Sequence, residues 1–195
     1  STVYTDVLQF FVMFIGFGIL FLAAYSGYGG FTFISDNIPE SHLTFSGGLS
    51  PVVLLVWFLI ALWTFADPGF HQRCYAAKSG KVASTGIIIS IFFFALFDFL
   101  TTSSGLFAKA LLPDIDQPML AYPMLAEKIL SPGFKGLFYA AMFATIISTL
   151  NSFLFLSGTT IGRDFIFQFT GEKSELKLKY FTIIGLIFSS IIAFI

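Results

Sequence analysis

Long apolar runs recur along the chain, separated by short stretches in which most of the acidic and basic side chains gather. The first run, from about Val3 to Tyr25, is long enough to span a bilayer with some tilt. The second, Pro51 to Ala66, carries no charge over about 16 residues. At 1.5 Å per residue it reaches about 24 Å, short of the roughly 30 Å hydrocarbon core. It runs into Asp67-Pro68-Gly69 and resumes as Phe70 to Ala77. Proline removes a backbone donor and disfavours helix at the preceding residue, so a crossing over 51–77 is expected to break at 67–69. Unwound backbone at membrane depth is tolerated where it is buried in protein or lines a polar cavity, where transporters hold their ligands. The same three residues would also suit the plain end of a short helix at the membrane surface. Further crossings are predicted over about 84–112, 133–155 and 180–195. The connections at 26–50 and 113–132 read as loops, the second with room for short helical pieces.

Composition fixes the class. Hydrophobic residues make up 56% and charged residues 11%, against about 25% charged in ordinary globular chains, and there are 28 Phe. These values describe an all-α integral membrane protein. A net charge of -1 without a Lys/Arg cluster gives no argument for nucleic acid. Cys74, the single cysteine, excludes an internal disulfide and reads as a packing residue. The chain opens and ends inside apolar segments, so it is expected to be the central part of a longer polypeptide whose other helices are its partners. Seven of the ten Lys and Arg fall in two stretches, Arg73, Lys78 and Lys81, then Arg163, Lys173, Lys177 and Lys179. The positive-inside rule makes both cytoplasmic in a multi-pass protein of the cell membrane. Lys109, Lys128 and Lys135 are the exceptions.

Polar residues inside the apolar runs are the candidates for chemistry. Asp98 lies near the middle of the third crossing, where a carboxylate calls for a ligand contact or a buried polar pair. Asp6 invites the same reading, or reaches the interface from its position near a helix end. On the fourth crossing Gly136, Ala140, Ala144, Ser148 and Ser152 form a small-residue face, and Thr145, Ser148, Thr149 and Ser152 share one side at i, i+3, i+4 and i+7. Such hydroxyls suit a desolvated alkali cation, which takes oxygen ligands, although hydroxyls in membrane helices also simply bond back to a carbonyl. No HExxH, GxSxG or phosphate-binding loop occurs, and His42 and His71 have no recognisable ligand partner, so no enzyme is predicted.

Three stretches, VYTDVLQ at Val3 to Gln9, DPGFHQRCYAAKS from Asp67, and ATIISTLNSFLFLSGTTIGRD at Ala144 to Asp164, together resemble the sodium:solute symporter family. The resemblance implies a 5+5 inverted-repeat bundle, in which the five crossings are the last helix of the first repeat and the first four of the second, with the second crossing discontinuous. It implies a sodium ion held by the hydroxyls of Ser148 and Thr149 and the backbone carbonyl of Thr145. Asp6 would lie on the ion's path to the cytoplasm. Trp63, Asp67 and Asp98 would face a small organic solute. Ile60 stands where sugar-carrying members place Asn, and the Asp-Pro-Gly turn is similar to that of proline carriers, so no particular solute is implied. The expectation is a sodium-coupled transporter, with a proton-coupled carrier, a solute sensor and a channel as the other readings.

Overall fold

A computed structural model describes residues 2–162, 167–170 and 175–194, and these are helical with no strand among them. Arg163 and Lys173, assigned above to a cytoplasmic loop, lie outside the described residues. The chain forms two compact units, residues 1–145 and 146–195, with the boundary inside one long helix.

In the first unit α1 spans Thr2–Gly27, α2 Phe31–Asn37, α3 Pro51–Ile60, α4 Pro68–Tyr75, α5 Gly80–Leu111 and α6 Ala121–Ile129. The seventh helix, α7, runs Pro132–Thr159 and passes into the second unit. Local chemistry accounts for several starts. Ser50 and Ser79 accept from the N–H groups of Val53 and Val82, and Pro51 occupies the first helical position, where its missing N–H costs nothing. Lys81 therefore belongs to the first turn of α5, which begins four residues earlier than expected.

Segment 26–50 is not simply a loop. Gly29 and Gly30 take φ of 84° and 72°, a left-handed turn that glycine adopts without Cβ strain, and α2 follows directly. Ile34 on this short helix and Ile38 just after it are buried in the core. The connection after α5 likewise contains α6, whose Leu125 and Ala126 are fully buried.

The core of this unit lies where α1, α2, α5, α6 and the start of α7 meet. Phe17, Leu20 and Ala24 of α1 face Phe107 and Ala108 of α5, Leu125 of α6 and Phe138 of α7. Rings run along the seam: Phe10 meets Phe93 at 5.1 Å, Phe14 meets Phe97 at 5.3 Å, and Phe17 meets Phe97, Phe138 and Tyr122 between 5.2 and 5.6 Å. Most are edge-to-face, a geometry that adds about 0.5–1.5 kcal/mol per pair beyond area burial. Gly16 lets α1 lie against α7, because a Cβ there would overlap the Cβ of Ala141. Gly18, two residues further along α1, has open space around it.

Among the described residues three helices are long and apolar enough to cross a membrane, Tyr4–Gly27, Gly80–Leu111 and Pro132–Gly162. The pair Pro51–Phe65 and Pro68–Tyr75, bent by 44°, meets the same measure when its two helices are taken together, which makes four if the pair is one span. The break falls at residues 66–67, ahead of the expected 67–69. Pro68 and Gly69 are the first turn of the new helix, where an absent N–H is tolerated, and Asp67 is its cap.

In the second unit α7 ends against α9, Glu175–Phe194; a single turn, α8, covers Phe167–Thr170. Lys177 and Lys179 sit on α9, not in a loop. Its apolar part among the described residues, Lys179–Ile192, is shorter than a full span. Close packing of α7 and α9 rests on glycine. A Cβ at Gly158 would lie 2.6 Å from Leu186 Cγ, and one at Gly162 would lie 2.5 Å from the Thr182 nitrogen. This Gly158-x3-Gly162 pair is the small-residue seam of the unit, beyond the Gly136 to Ser152 series read from the sequence.

Candidate functional site

The broken span presents side chains rather than burying them. Trp63 lies in the 3-10 segment Ala61–Phe65 between α3 and the break and is 70% exposed. Asp67 is half-buried, and its Oδ1 accepts from the N–H of Gly69 at 2.9 Å. One carboxylate oxygen thus caps α4, as the plain helix-end reading requires, and Oδ2 remains for another donor. Asp98 is exposed on α5, and its side chain makes no hydrogen bond among the described residues. No hydrogen bond or ion pair joins Trp63, Asp67 and Asp98 to one another among these residues. Three features that could meet a ligand are present, each on its own.

The polar run after Asp98 has a different role. Thr101 and Ser104 donate to the carbonyls of Phe97 and Leu100, Ser103 and Ser104 are buried, and the hydroxyl of Tyr122 on α6 donates to the Thr101 carbonyl at 3.1 Å. These hydroxyls fasten α5 to itself and to α6. Burial pushes the Tyr122 phenol above its ordinary pKa.

On α7 the hydroxyl of Thr145 donates to the Ala141 carbonyl at 2.9 Å, the back-bonding that sequence reading set beside ion binding. That bond uses the hydroxyl proton of Thr145. Ser152 donates to the Ser148 carbonyl at 3.1 Å. Thr145 closes the first unit, while Ser148, half-buried, and Thr149, exposed, open the second.

Near the start of α1, two buried oxygens, Oδ1 of Asp6 and Oε1 of Gln9, have no hydrogen-bond partner among the described residues. They are three residues apart, hence on one helix face. A buried oxygen left unpaired is costly, which makes the pair a place for a donor or a cation. Gln9 was not singled out from the sequence; the signal was its i+3 spacing from Asp6.

The three lysines that broke the charge pattern are engaged at the other end of the unit. Lys128 donates to the Leu111 carbonyl at 2.7 Å and Lys109 to that of Pro113 at 3.3 Å, satisfying acceptors at the C-terminal end of α5. Lys135 pairs with Glu127 at 2.6 Å, and Tyr139 donates to the same carboxylate at 2.7 Å. The hydrogen bond from Lys135, then that from Tyr139, holds the exposed Glu127 carboxyl below its usual range.

Comparison with known proteins decides what these features belong to. The family model for the sodium:solute symporter family matches residues 1–195. The chain belongs to that family. Its members are multi-pass membrane transporters, not enzymes. The chain is 29% identical over 188 residues to a sodium/pantothenate symporter of Escherichia coli (strain K12), covering 92% of this chain and 39% of that protein. It is 26% identical over 204 residues to the sodium/pantothenate symporter of Haemophilus influenzae, covering 100% of this chain and 42% of the relative. A sodium/proline symporter of Staphylococcus aureus is 25% identical over 189 residues, 93% of this chain and 37% of its own length. The chain thus spans about two fifths of these symporters. No solved structure matches it.

Proposed function

We propose that the chain is the central part of a sodium-coupled symporter that carries a small organic solute across the cell membrane by alternating access. The observation that carries this reading is the span bent by 44° at Asp67, in a chain whose family match is continuous and whose relatives are named as sodium symporters. A broken helix frees backbone groups in the middle of a crossing, and transporters use such groups to meet solute and ion. In this reading the crossings at 3–25, 51–77, 84–112, 133–155 and 180–195 are five helices of a 5+5 inverted repeat.

Ser148 and Thr149 offer hydroxyl oxygens and Thr145 its carbonyl to sodium, a hard cation that needs oxygen ligands without requiring a full negative charge. The remaining helices of the full-length polypeptide supply the other side of that site. Asp6, with Gln9 beside it, offers oxygens on the ion's way to the cytoplasm. Trp63, Asp67 and Asp98 meet the solute at the break, and Asp98 suits a hydroxyl-bearing or cationic group. Coupling needs no covalent step: ion and solute both bind one arrangement better than the other, and each therefore raises the population the other needs.

The test is the thermal unfolding midpoint of the full-length polypeptide in NaCl and in choline chloride at equal ionic strength. A ligand bound only by the folded state stabilises by about 2.7 kcal/mol at a hundred times its Kd. The expected result is a sodium-specific rise that Ser148→Ala with Thr149→Ala abolishes. No sodium-specific rise in the wild type over a wide concentration range overturns the sodium site. A midpoint that follows pH and not sodium would point to proton coupling instead.

A further inference from the structure

The break in the second span takes the helical donors from two consecutive carbonyls. In an unbroken α-helix the oxygen of Thr64 accepts from residue 68 and that of Phe65 from residue 69. Residue 68 is Pro, which has no N–H, and the N–H of Gly69 goes to Asp67 Oδ1 at 2.9 Å. The chain N–H groups of Ala66 and Asp67 both turn back to the carbonyl of Trp63, at 2.8 and 3.0 Å. Phe65 is nonetheless satisfied, by a side chain from beyond the break: the ring Nε2 of His71 lies 2.7 Å from its oxygen. A carbonyl oxygen only accepts, so Nε2 carries a proton in this contact.

This bond differs in kind from the others at the break. Asp67 caps the helix it begins, and the bonds to Trp63 close the 3-10 segment. His71 sits in the body of α4 and reaches back to the last residue of the 3-10 segment, so its bond joins both arms of the bend. Its ring also stacks on that of Tyr75, one turn further along α4, with centroids 6.2 Å apart and planes at 24°, which fixes the direction of the imidazole.

We infer that His71 is a positioning residue that pins the elbow of the broken span, holding α4 at its angle to the 3-10 segment and so fixing where Asp67 and the Thr64 carbonyl face. That these groups meet a solute rests on the transporter reading; the pin does not. Without the imidazole N–H the Phe65 carbonyl loses its partner at a depth where water is scarce, and the two arms are free to change their angle.

Cys74 lies three residues beyond His71 on α4 and is a free, half-exposed thiol, so its alkylation rate reports the motion of that arm. The experiment measures maleimide labelling of Cys74 in the purified full-length polypeptide, quantified on the peptide that carries it, for wild type, His71→Phe and His71→Gln. Phe keeps the stacking ring and removes the donor; Gln carries an amide N–H at about the reach of Nε2. His71→Phe is expected to label about fivefold faster, the factor a hydrogen bond of ordinary net strength contributes to a local opening, and His71→Gln to return towards the wild-type rate. Labelling of His71→Phe at the wild-type rate, or equal acceleration in Phe and Gln variants, overturns the pin. The thermal midpoint of each variant in NaCl and choline chloride separates the two proposals. A wild type without a sodium-specific rise defeats the sodium site while the labelling result stands, and a rise retained in His71→Phe with unchanged labelling defeats the pin alone.

Discussion

Two parts of the first unit use the same residue types to opposite ends. Along α1, α5 and α6 one face of each helix is turned inward, while Phe11, Phe92 and Phe94 on other faces stay exposed: Leu20, Phe107, Leu125 and, from α7, Phe138 are fully buried, and rings interlock from Phe10 to Tyr122. Along α3 and the 3-10 segment none is buried, and Trp57, Phe58, Trp63 and Phe65 are all exposed. In the first region Thr101 and Ser104 bond back to carbonyls within a turn, and Tyr122 bonds across from α6 to α5. The second interrupts its own ladder of hydrogen bonds and restores it in part with Asp67 and His71. The contrast teaches that α1, α5 and α6 form a packed scaffold, while the broken span keeps backbone and rings available to something outside this unit.

The comparison breaks most clearly by truncating one ring in each region. Phe17→Ala removes a side chain that meets three other rings and should cost about 3–5 kcal/mol, read as a lower unfolding midpoint of the full-length polypeptide. Trp63→Ala should leave the midpoint within about 0.5 kcal/mol, because its ring is mostly exposed, while weakening solute uptake. Equal losses from both would erase the distinction between scaffold and binding span.

A smaller effect separates the two glycines of α1. Gly16→Leu forces a side chain into Ala141 and should destabilise by about 1–3 kcal/mol. Gly18→Ala has room around it and should be neutral or slightly stabilising, since Ala favours helix by about 1 kcal/mol over Gly. Unfolding midpoints of the two variants decide it.

The smallest effect concerns acid. The folded state lowers the Glu127 carboxyl, so its link to Lys135 and Tyr139 contributes stability above the ordinary carboxylate range and loses it as pH falls through the lowered value. Glu127→Gln should flatten that part of the stability profile only slightly, because the group is exposed and water screens the pair. A large change in acid stability would mean that this surface cluster holds the scaffold more firmly than its exposure allows.

How far the sequence could be read follows from what each element depends on. Long apolar runs identified α1, α5 and α7, since length and hydropathy are local quantities. Asp67-Pro68-Gly69 marked the broken span for the same reason. The short helices α2 and α6 were missed or left open: each has few residues, and their burial comes from packing against α5. Lys109 and Lys128 contradicted the charge pattern because they serve carbonyls near the end of α5, which only chain proximity makes visible. Among the candidate site residues, Asp6, Asp98 and the α7 hydroxyls were legible from the cost of polar groups in an apolar run. Gln9 and His71 were not, since a Gln near a helix end and a lone His announce nothing until the oxygen they hold, or lack, has a position.

Membership of the sodium:solute symporter family, the apolar membrane-protein class and the presence of a break near Asp67 follow from the sequence, because hydrophobic length, proline and family motifs are written residue by residue. Packing in three dimensions alone shows which glycine admits a neighbouring helix, that Tyr122 fastens α6 to α5, and that His71 bridges the elbow. Those outcomes depend on distances between residues that the chain alone leaves open. Close approach, burial and a shared hydrogen bond are properties of pairs, and the pairs exist only once the helices have packed.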